Sequence, residues 1–251
     1  MFDIMRRTVG VRSRATRTVP HVPLAPLAGV EPPSLFDCYP WLYAFCRERL
    51  FRDDTERIVD ALWPSGGPDA GSRLLELGCG PGFYARNLAA RFAHLRVTGL
   101  DRSRRQLSRA RLRTVADHLT NCRFTAGDVR ALAWPAGAFD TVVAARLFTV
   151  LPEREQGLAE MHRVLRPGGR CFITEPRSAL RAAAPLRAMW LLAGLSALLS
   201  GERRRPYLEP ARVAILTHAE FDILLASQPW GRLERWQDRW YQYALCEKGP
   251  C

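Results

Sequence analysis

The chain has 251 residues, 47% of them hydrophobic and 25% charged, so it can bury the core of one large α/β domain or of two small ones. Its net charge of +12 favours an anionic partner, either nucleic acid or a membrane surface, although codon bias also explains basic residues that are nearly all arginine. The seven scattered cysteines contain no CxxC, a pattern that favours buried thiols in a reducing compartment over disulfides or a zinc site.

The N-terminal part precedes the main fold. Residues 1–34 are rich in Arg, Thr and Pro and lack the continuous apolar stretch of a secretory signal, so we predict a basic, disordered extension, with a transit peptide as the alternative. The domain is expected to span 35–251. Its first part, 35–64, has apolar residues at helical spacing and predicts one or two amphipathic helices, and "SGGPDAG" (65–71) is a linker.

From residue 73 onward, predicted strands alternate with helices. Strands are predicted over 73–77, 96–101, 122–128, 139–148 and 170–176, with helices over 83–93, 102–119 and 153–169, the last of which is stopped by its closing Pro-Gly-Gly. Continuous apolar strands separated by helices indicate parallel strands that are covered on both faces. A helix over 217–226 opens with a capping box, and 232–248 reads as two antiparallel strands. The prediction is a doubly wound, Rossmann-like, seven-stranded and mostly parallel sheet with an antiparallel C-terminal strand.

The junction after the first strand reads "ELGCGPG" (76–82). Its glycines follow the spacing G-x-G-x-G, whereas a dinucleotide site needs G-x-G-x-x-G and would require glycine in place of Phe83. Pro81 stiffens the turn, and the Gly-Lys-Ser/Thr of a phosphate-binding loop is absent. The loop is therefore typical of a ligand that has no pyrophosphate.

Two acids close the next strands of the predicted sheet. Asp101 ends the second strand, where a carboxylate can accept both hydroxyls of a ribose, and Asp128 ends the third, where an acid can accept the exocyclic amine of a base. An adenosine held at its sugar and its ring, without a phosphate site, points to S-adenosylmethionine. The alternative is that both acids are helix caps.

At these positions the sequence resembles the class I S-adenosylmethionine-dependent methyltransferases, especially the branch with the ubiquinone and menaquinone C-methyltransferases (methyltransferase type 11 domain). The motifs "ELGCGPG", "GLDRS", "AGDVRALAWPAGAFDTVVA" and "EMHRVLRPGGR" carry the resemblance, which covers roughly residues 70–176. It implies a cofactor-binding set of Glu76, Gly78, Cys79, Gly80, Gly82, Tyr84, Asp101, Arg102, Asp128, Val129 and Arg146.

The resemblance also implies roles within this set. The three loop glycines would pass under the methionine and the ribose, and Glu76 would orient the loop and the amino group of the ligand. Asp101 would take the ribose hydroxyls. Asp128 would take the adenine amine, with the Val129 amide beside the ring, and Arg146 would face the reacting methyl. Glu76 could instead be a strand-end carboxylate whose partners lie in the protein.

The catalytic residues are less well defined. Tyr39, Tyr43 and Arg146 are candidates for the acceptor pocket, and Tyr84 is a further one. No residue is assigned as general base, because transfer of an activated methyl group needs mainly positioning and exclusion of water. We expect structural roles for four other residues with suggestive chemistry, which are Trp134, Asp140, His162 and His218.

A helical insertion at 178–210 follows the fifth strand. Within 178–207, an uncharged run over 188–201 is flanked by arginines; it is too short to span a bilayer and fits either contact with a membrane surface or a buried lid helix. Both alternatives favour an apolar small-molecule acceptor, such as a quinone or another lipid. We expect a cytoplasmic protein, peripheral at the inner face of the membrane. Nucleic acid is disfavoured because no RNA-binding module is visible.

Three functions fit these patterns. The first is methyl transfer to a small apolar acceptor. The second is different chemistry on the same cofactor, and the third is binding of the cofactor without catalysis.

Overall fold

The computed structural model describes residues 45, 47, 52–177, 191 and 215–250. Over 52–177 and 215–250 it contains five helices and seven strands. The helices are α1 (Thr55–Leu62), α2 (Phe83–Arg91), α3 (Arg104–Ala116), α4 (Arg154–Val164) and α5 (His218–Ala226). The strands are β1 (Arg73–Leu77), β2 (Arg96–Asp101), β3 (Cys122–Ala126), β4 (Phe139–Ala145), β5 (Leu165–Pro176), β6 (Trp230–Gln237) and β7 (Tyr241–Lys248).

The strands form one sheet in the order β3-β2-β1-β4-β5-β7-β6. β1 to β5 are parallel, whereas β7 lies antiparallel between β5 and β6. The direction of growth reverses between β1 and β4, and this is the point at which open α/β sheets bind ligands. The predicted doubly wound sheet with an antiparallel end is confirmed.

Helices cover both faces of the sheet, because successive side chains along each strand point to opposite sides. Val142 of β4 packs in the core that includes α4 and α5. Its neighbour Val143 packs in the second core, with α1, α2 and α3. The alternation explains why the parallel strands are apolar along their whole length, as in the fully buried Leu74–Leu77 segment of β1.

The third predicted helix ends slightly before its predicted Pro-Gly-Gly stop. α4 ends at Val164, and Leu165 is already extended, with φ −70° and ψ 136°. Pro167 limits the helix, because helices end at or before the residue that precedes a proline. Residues Leu165–Gly169 therefore begin β5. The capping box at Thr217 and Glu220 is present as predicted.

Several predicted segments lie outside the described residues. These are 1–34 and, apart from Leu191, the insertion 178–210; of the helices expected over 35–64, the described part contains α1. The domain boundaries stay predictions. No helix in the described part of the chain is long and apolar enough to cross a bilayer.

Candidate functional site

The carboxyl ends of the parallel strands meet at one edge of the sheet, and the predicted site residues gather there. Glu76 lies near the end of β1, Asp101 ends β2 and Arg146 follows β4. Glu175, near the end of β5, lies at the same edge and was missed by the sequence analysis. The arrangement agrees with ligand binding beyond the carboxyl ends of the strands.

The glycine loop (residues 78–82) joins β1 to α2 through a left-handed backbone. Gly78, Gly80 and Gly82 have φ of +66°, +52° and +76°, a region that residues with a side chain rarely adopt. At Gly82, the N-cap of α2, a Cβ atom would also lie 2.6 Å from Phe124 Cζ. The conformation of the loop thus requires glycine even before a ligand is considered.

Glu76 ties the end of β1 to the start of α2. Its side chain is buried, and Oε2 accepts a hydrogen bond of 2.7 Å from the backbone N–H of Ala85, one of the N–H groups that a helix start leaves without a partner. Burial raises the pKa of Glu76 to about 8, against the lowering effects of the Ala85 hydrogen bond and of Arg47. Glu76 therefore contacts the helix that follows the glycine loop, and its role toward the loop and the ligand stays a prediction.

Asp101 holds the glycine loop from the neighbouring strand. Its Oδ2 accepts from Gly80 N at 2.7 Å, and Oδ1 accepts from Ser103 N at 2.8 Å. Ser103, and not Asp101, is the N-cap of α3, so the helix-cap alternative for Asp101 does not hold. The two backbone contacts fix this carboxylate beside the glycine loop and the start of α3.

Asp128 lies after β3 and forms an ion pair with Arg130. Its side chain is 47% exposed, and the guanidinium contacts it through Nη2–Oδ2 at 2.6 Å and Nε–Oδ1 at 3.0 Å. The Arg130 hydrogen bond lowers the pKa of Asp128, and Arg130 also bonds Glu153 at 2.7 Å. No described helix starts at Asp128, so a cap is not its role. A ligand amine would have to share this carboxylate with Arg130.

Four further residues of the predicted cofactor set differ in environment. Val129 is buried in the core, and exposed Arg102 contributes to the lowered pKa of Asp128. Cys79 is buried, and burial raises the pKa of its thiol, so the thiol stays protonated. Tyr84 is buried, and burial likewise raises its pKa. Cys79, within the loop, and Tyr84, in the first turn of α2, therefore act as packing groups.

Arg146 follows β4 in a strained conformation. Its φ of +58° is unusual for a residue with a long side chain. Its backbone N–H donates to Thr174 O at 2.8 Å, and its side-chain Nη2 donates to Tyr241 Oη at 2.9 Å and to Arg52 O at 3.4 Å. Strain that the surroundings hold in place is often a functional feature. Tyr241 is paired with Pro176 at the end of β5 and was not predicted.

Glu175 fixes the turn that carries Arg146. Its buried carboxylate accepts from Phe148 N at 2.8 Å, from Thr149 N at 3.2 Å and from the Thr149 hydroxyl. Burial raises the pKa of Glu175 to about 7, opposed by these hydrogen bonds and by Arg146. The only sequence signal is an acid at the end of a buried strand, the same signal that selected Asp101.

A charged cluster beside this turn joins the segment before α1 to the β6–β7 turn. Arg52 bonds Asp54 at 2.8 Å and Asp238 at 2.5 Å, and the Tyr243 hydroxyl donates to Asp238 at 2.9 Å. The Arg52 guanidinium also lies 4.5 Å from the Tyr241 ring centroid. Because its members are nearly two hundred residues apart in the chain, no local pattern could have predicted this cluster.

The predicted pocket tyrosines Tyr39 and Tyr43 lie outside the described residues. Arg47, from the same part of the chain, is buried, with its guanidinium 4.1 Å from the Phe83 ring centroid and 4.4 Å from that of Tyr84. It also lowers the pKa of Glu76. The Arg47 side chain therefore packs against the start of α2.

The residues expected to be structural have structural surroundings. Asp140 lies at the opposite edge of the sheet and accepts from Arg73 N at 2.7 Å and from Arg166 Nε at 2.5 Å. The others pack or cap: Trp134 against Phe139, His162 against Trp230, and His218 in the first turn of α5. Among the described residues no group of three or more His, Cys, Asp or Glu could hold a metal ion.

Comparison with known proteins agrees with this geometry. Residues 74–169 match the family model described as "Methyltransferase domain". A putative S-adenosyl-L-methionine-dependent methyltransferase from Methanococcus maripaludis superposes with a TM-score of 0.62 at 14% identity, covering 89% of this chain and 97% of the other. Residues 74–169 are therefore similar to a methyltransferase domain, and the likeness to the solved structure shows the same fold.

The methyltransferase domain also has named relatives. A demethylmenaquinone methyltransferase from Deinococcus radiodurans is 37% identical over 133 residues, 51% of this chain and 55% of the relative. A phosphatidylethanolamine N-methyltransferase from Cereibacter sphaeroides is 40% identical over 104 residues, 41% of this chain and 50% of the relative. The chain thus spans about half the length of these curated relatives. The predicted resemblance is confirmed, and the family and fold imply S-adenosylmethionine as the cofactor.

Proposed function

We propose that the protein transfers the methyl group of S-adenosylmethionine to a small, apolar acceptor. The observation that carries the proposal is the contact between Asp101 and Gly80 at 2.7 Å, which joins the predicted ribose acid to the predicted methionine loop. Both belong to the methyltransferase domain at 74–169. Both lie at the carboxyl ends of the parallel strands, the edge at which open α/β sheets bind ligands.

The residues of the site fit this cofactor. The glycine loop is a cradle in which a side chain at Gly82 would collide with Phe124. Asp101 is held beside the loop by Gly80 N and Ser103 N, and its carboxylate is the type of group that accepts ribose hydroxyls. Asp128 is held ionised by Arg130 and could accept an adenine amine by exchanging one of the Arg130 contacts. In this proposal these residues, with Glu76 behind the loop, hold the cofactor.

The residues of the chain contribute to the reaction by positioning the acceptor and by excluding water. When bound, the sulfonium supplies a methyl group that is already activated for displacement. Arg146 and Tyr241, joined at 2.9 Å, stand at the edge where the acceptor would approach, and their donors would orient an acceptor oxygen. Because Glu175 and Thr174 hold the Arg146 turn before binding, little ordering remains for the moment of reaction.

An apolar acceptor is the finer part of the proposal. The names of the relatives, a demethylmenaquinone and a phosphatidylethanolamine methyltransferase, refer to lipid-soluble acceptors of those proteins. In this chain, two apolar features support such an acceptor. Val150, which follows the Arg146 turn, is 48% exposed, and the sequence contains the uncharged run 188–201 after the fifth strand. The proposal includes a cytoplasmic location at the membrane surface, supported by the free, buried Cys79, Cys122, Cys171 and Cys246.

Methyl-labelled S-adenosylmethionine tests the function. The full chain is incubated with an organic extract of membranes or, in parallel, with the water-soluble fraction, and the label is followed by mass spectrometry. Label in a product from the organic extract supports the proposal, and label only in a water-soluble product refutes the apolar acceptor. Label that stays on a fragment of the cofactor indicates different chemistry, and binding without turnover indicates a binding protein; either result overturns methyl transfer.

A further inference from the structure

The outward face of α3 is unusual for a surface helix. Leu112 is 72% exposed and Val115 is 74% exposed. They are three residues apart and therefore share one face of the helix. The opposite face is buried through Gln106, Leu107, Ala110 and Thr114. Two large apolar side chains thus stand in water although the helix already has a separate packing face.

The same helix is strongly basic. It contains arginine at 104, 105, 109, 111 and 113 and no acid between 104 and 116. Arg104 and Arg105 occupy the first turn, where the helix dipole disfavours positive charge by a few tenths of a kcal/mol each. Burial and the nearby Arg113 lower the pKa of Arg109. No acid within the helix therefore offsets its positive charge.

Arginine bias across the whole chain does not explain this helix. α4 combines arginines with acids, and α5 has acids and no arginine. α5 also exposes an apolar side chain, Ile223, which is 67% exposed beside Asp222. The combination of exposed apolar residues with uniformly positive charge is thus specific to α3 among these helices.

The chemistry of this face fits a lipid surface with anionic headgroups. Guanidinium groups pair with phosphates, and aliphatic side chains between them can enter the boundary between headgroups and acyl chains. A nucleic-acid surface would place aromatic side chains among the arginines for stacking, and α3 has none. An exposed leucine and valine gain free energy only where apolar surface is available.

We propose that α3 docks on an anionic bilayer, with Leu112 and Val115 at the acyl boundary and Arg104 and Arg109 on lipid phosphates. α3 begins three residues after Asp101, so the docked helix would bring the membrane close to the predicted ribose acid. The proposal does not depend on methyl transfer, because membrane binding is measured without cofactor.

Co-sedimentation with vesicles tests the surface. The full chain is mixed with phosphatidylglycerol or phosphatidylcholine vesicles at low and high salt. We expect binding to the anionic vesicles that falls with salt. Leu112→Gln should weaken this binding about tenfold, from the lost burial of one leucine side chain, and Arg109→Gln about fivefold, from the loss of one basic contact.

Ile223→Gln is the matched control, because it removes an equally exposed apolar side chain from an acidic helix. The proposal is overturned if Leu112→Gln binds like the wild type, or if Ile223→Gln loses as much binding. The proposal is also overturned if deletion of 188–201 abolishes binding while the α3 variants bind as the wild type does. An α3 variant that loses affinity for duplex DNA but retains affinity for vesicles would overturn it as well. Thermal unfolding confirms that each variant is folded.

Discussion

Replacing Asp101 by asparagine tests the cofactor assignment at the residue on which it depends most. The carboxylate accepts two backbone N–H groups, from Gly80 and Ser103, and an amide has a single acceptor oxygen. One backbone donor therefore loses its partner, and the ribose hydroxyls lose a charged acceptor. Hydrogen bonds to charged groups contribute about 1.5–3 kcal/mol each. We expect S-adenosylmethionine to bind about 10- to 150-fold more weakly in a calorimetric titration.

Asp140→Asn is the control for this substitution. Asp140 also accepts from a backbone N–H group, and in addition pairs with an arginine, but it lies at the opposite edge of the sheet. It should lower the stability of the protein without changing the affinity for the cofactor. An unchanged affinity in Asp101→Asn, or an equal loss in both variants, would refute the assignment.

Three further predictions concern the same edge of the sheet. Gly82→Ala should lower the free energy of unfolding by about 2–4 kcal/mol in urea, from left-handed strain and the collision with Phe124; an unchanged midpoint would contradict this. Asp128→Ala should weaken cofactor binding only about fivefold in the same calorimetric titration, because its exposed carboxylate is shared with Arg130. A loss as large as that of Asp101→Asn would count against this reasoning. Glu175 has its pKa raised from 4.5 to about 7, so the folded state holds its proton more tightly than the unfolded state. Its contribution to stability is present below about pH 4.5 and is lost as the pH rises to about 7, by up to about 3 kcal/mol. Glu175→Gln should reduce the difference in unfolding free energy between pH 5 and pH 8, measured in urea, by about this amount and leave the part that comes from Glu76, whose pKa is raised to about 8. An unchanged difference would exclude the titration of Glu175.

Local patterns in the sequence were sufficient for most of the secondary structure. The apolar segment Leu74–Leu77 and the capping box at Thr217 and Glu220 each depend on residues within one strand or one helical turn. The glycine spacing was equally readable, since φ is a property of single residues. The stop after α4 was readable as well, because helices end at or before the residue that precedes a proline, although α4 ends at Val164 and not at Pro167 itself.

The contacts that complete the site have no such local signal. Glu175 of β5 accepts hydrogen bonds from Phe148 and Thr149, which follow β4. Arg146 hydrogen-bonds Tyr241, which is 95 residues away in the chain. A sequence shows that a buried strand ends in an acid but not which N–H groups it will face, because that depends on the strand order β4-β5-β7.

The amino-acid sequence therefore determined the strands, the glycine loop and the positions of Asp101 at the end of β2 and Asp128 after β3. These features depend on neighbours in the chain. Tertiary packing decided that Arg130 forms an ion pair with Asp128 and that Glu175 holds the turn that carries Arg146. It also decided that Asp140 lies at the edge of the sheet opposite the site. Burial and charge pairing act through space, so the environment of each carboxylate is defined only once the sheet has formed.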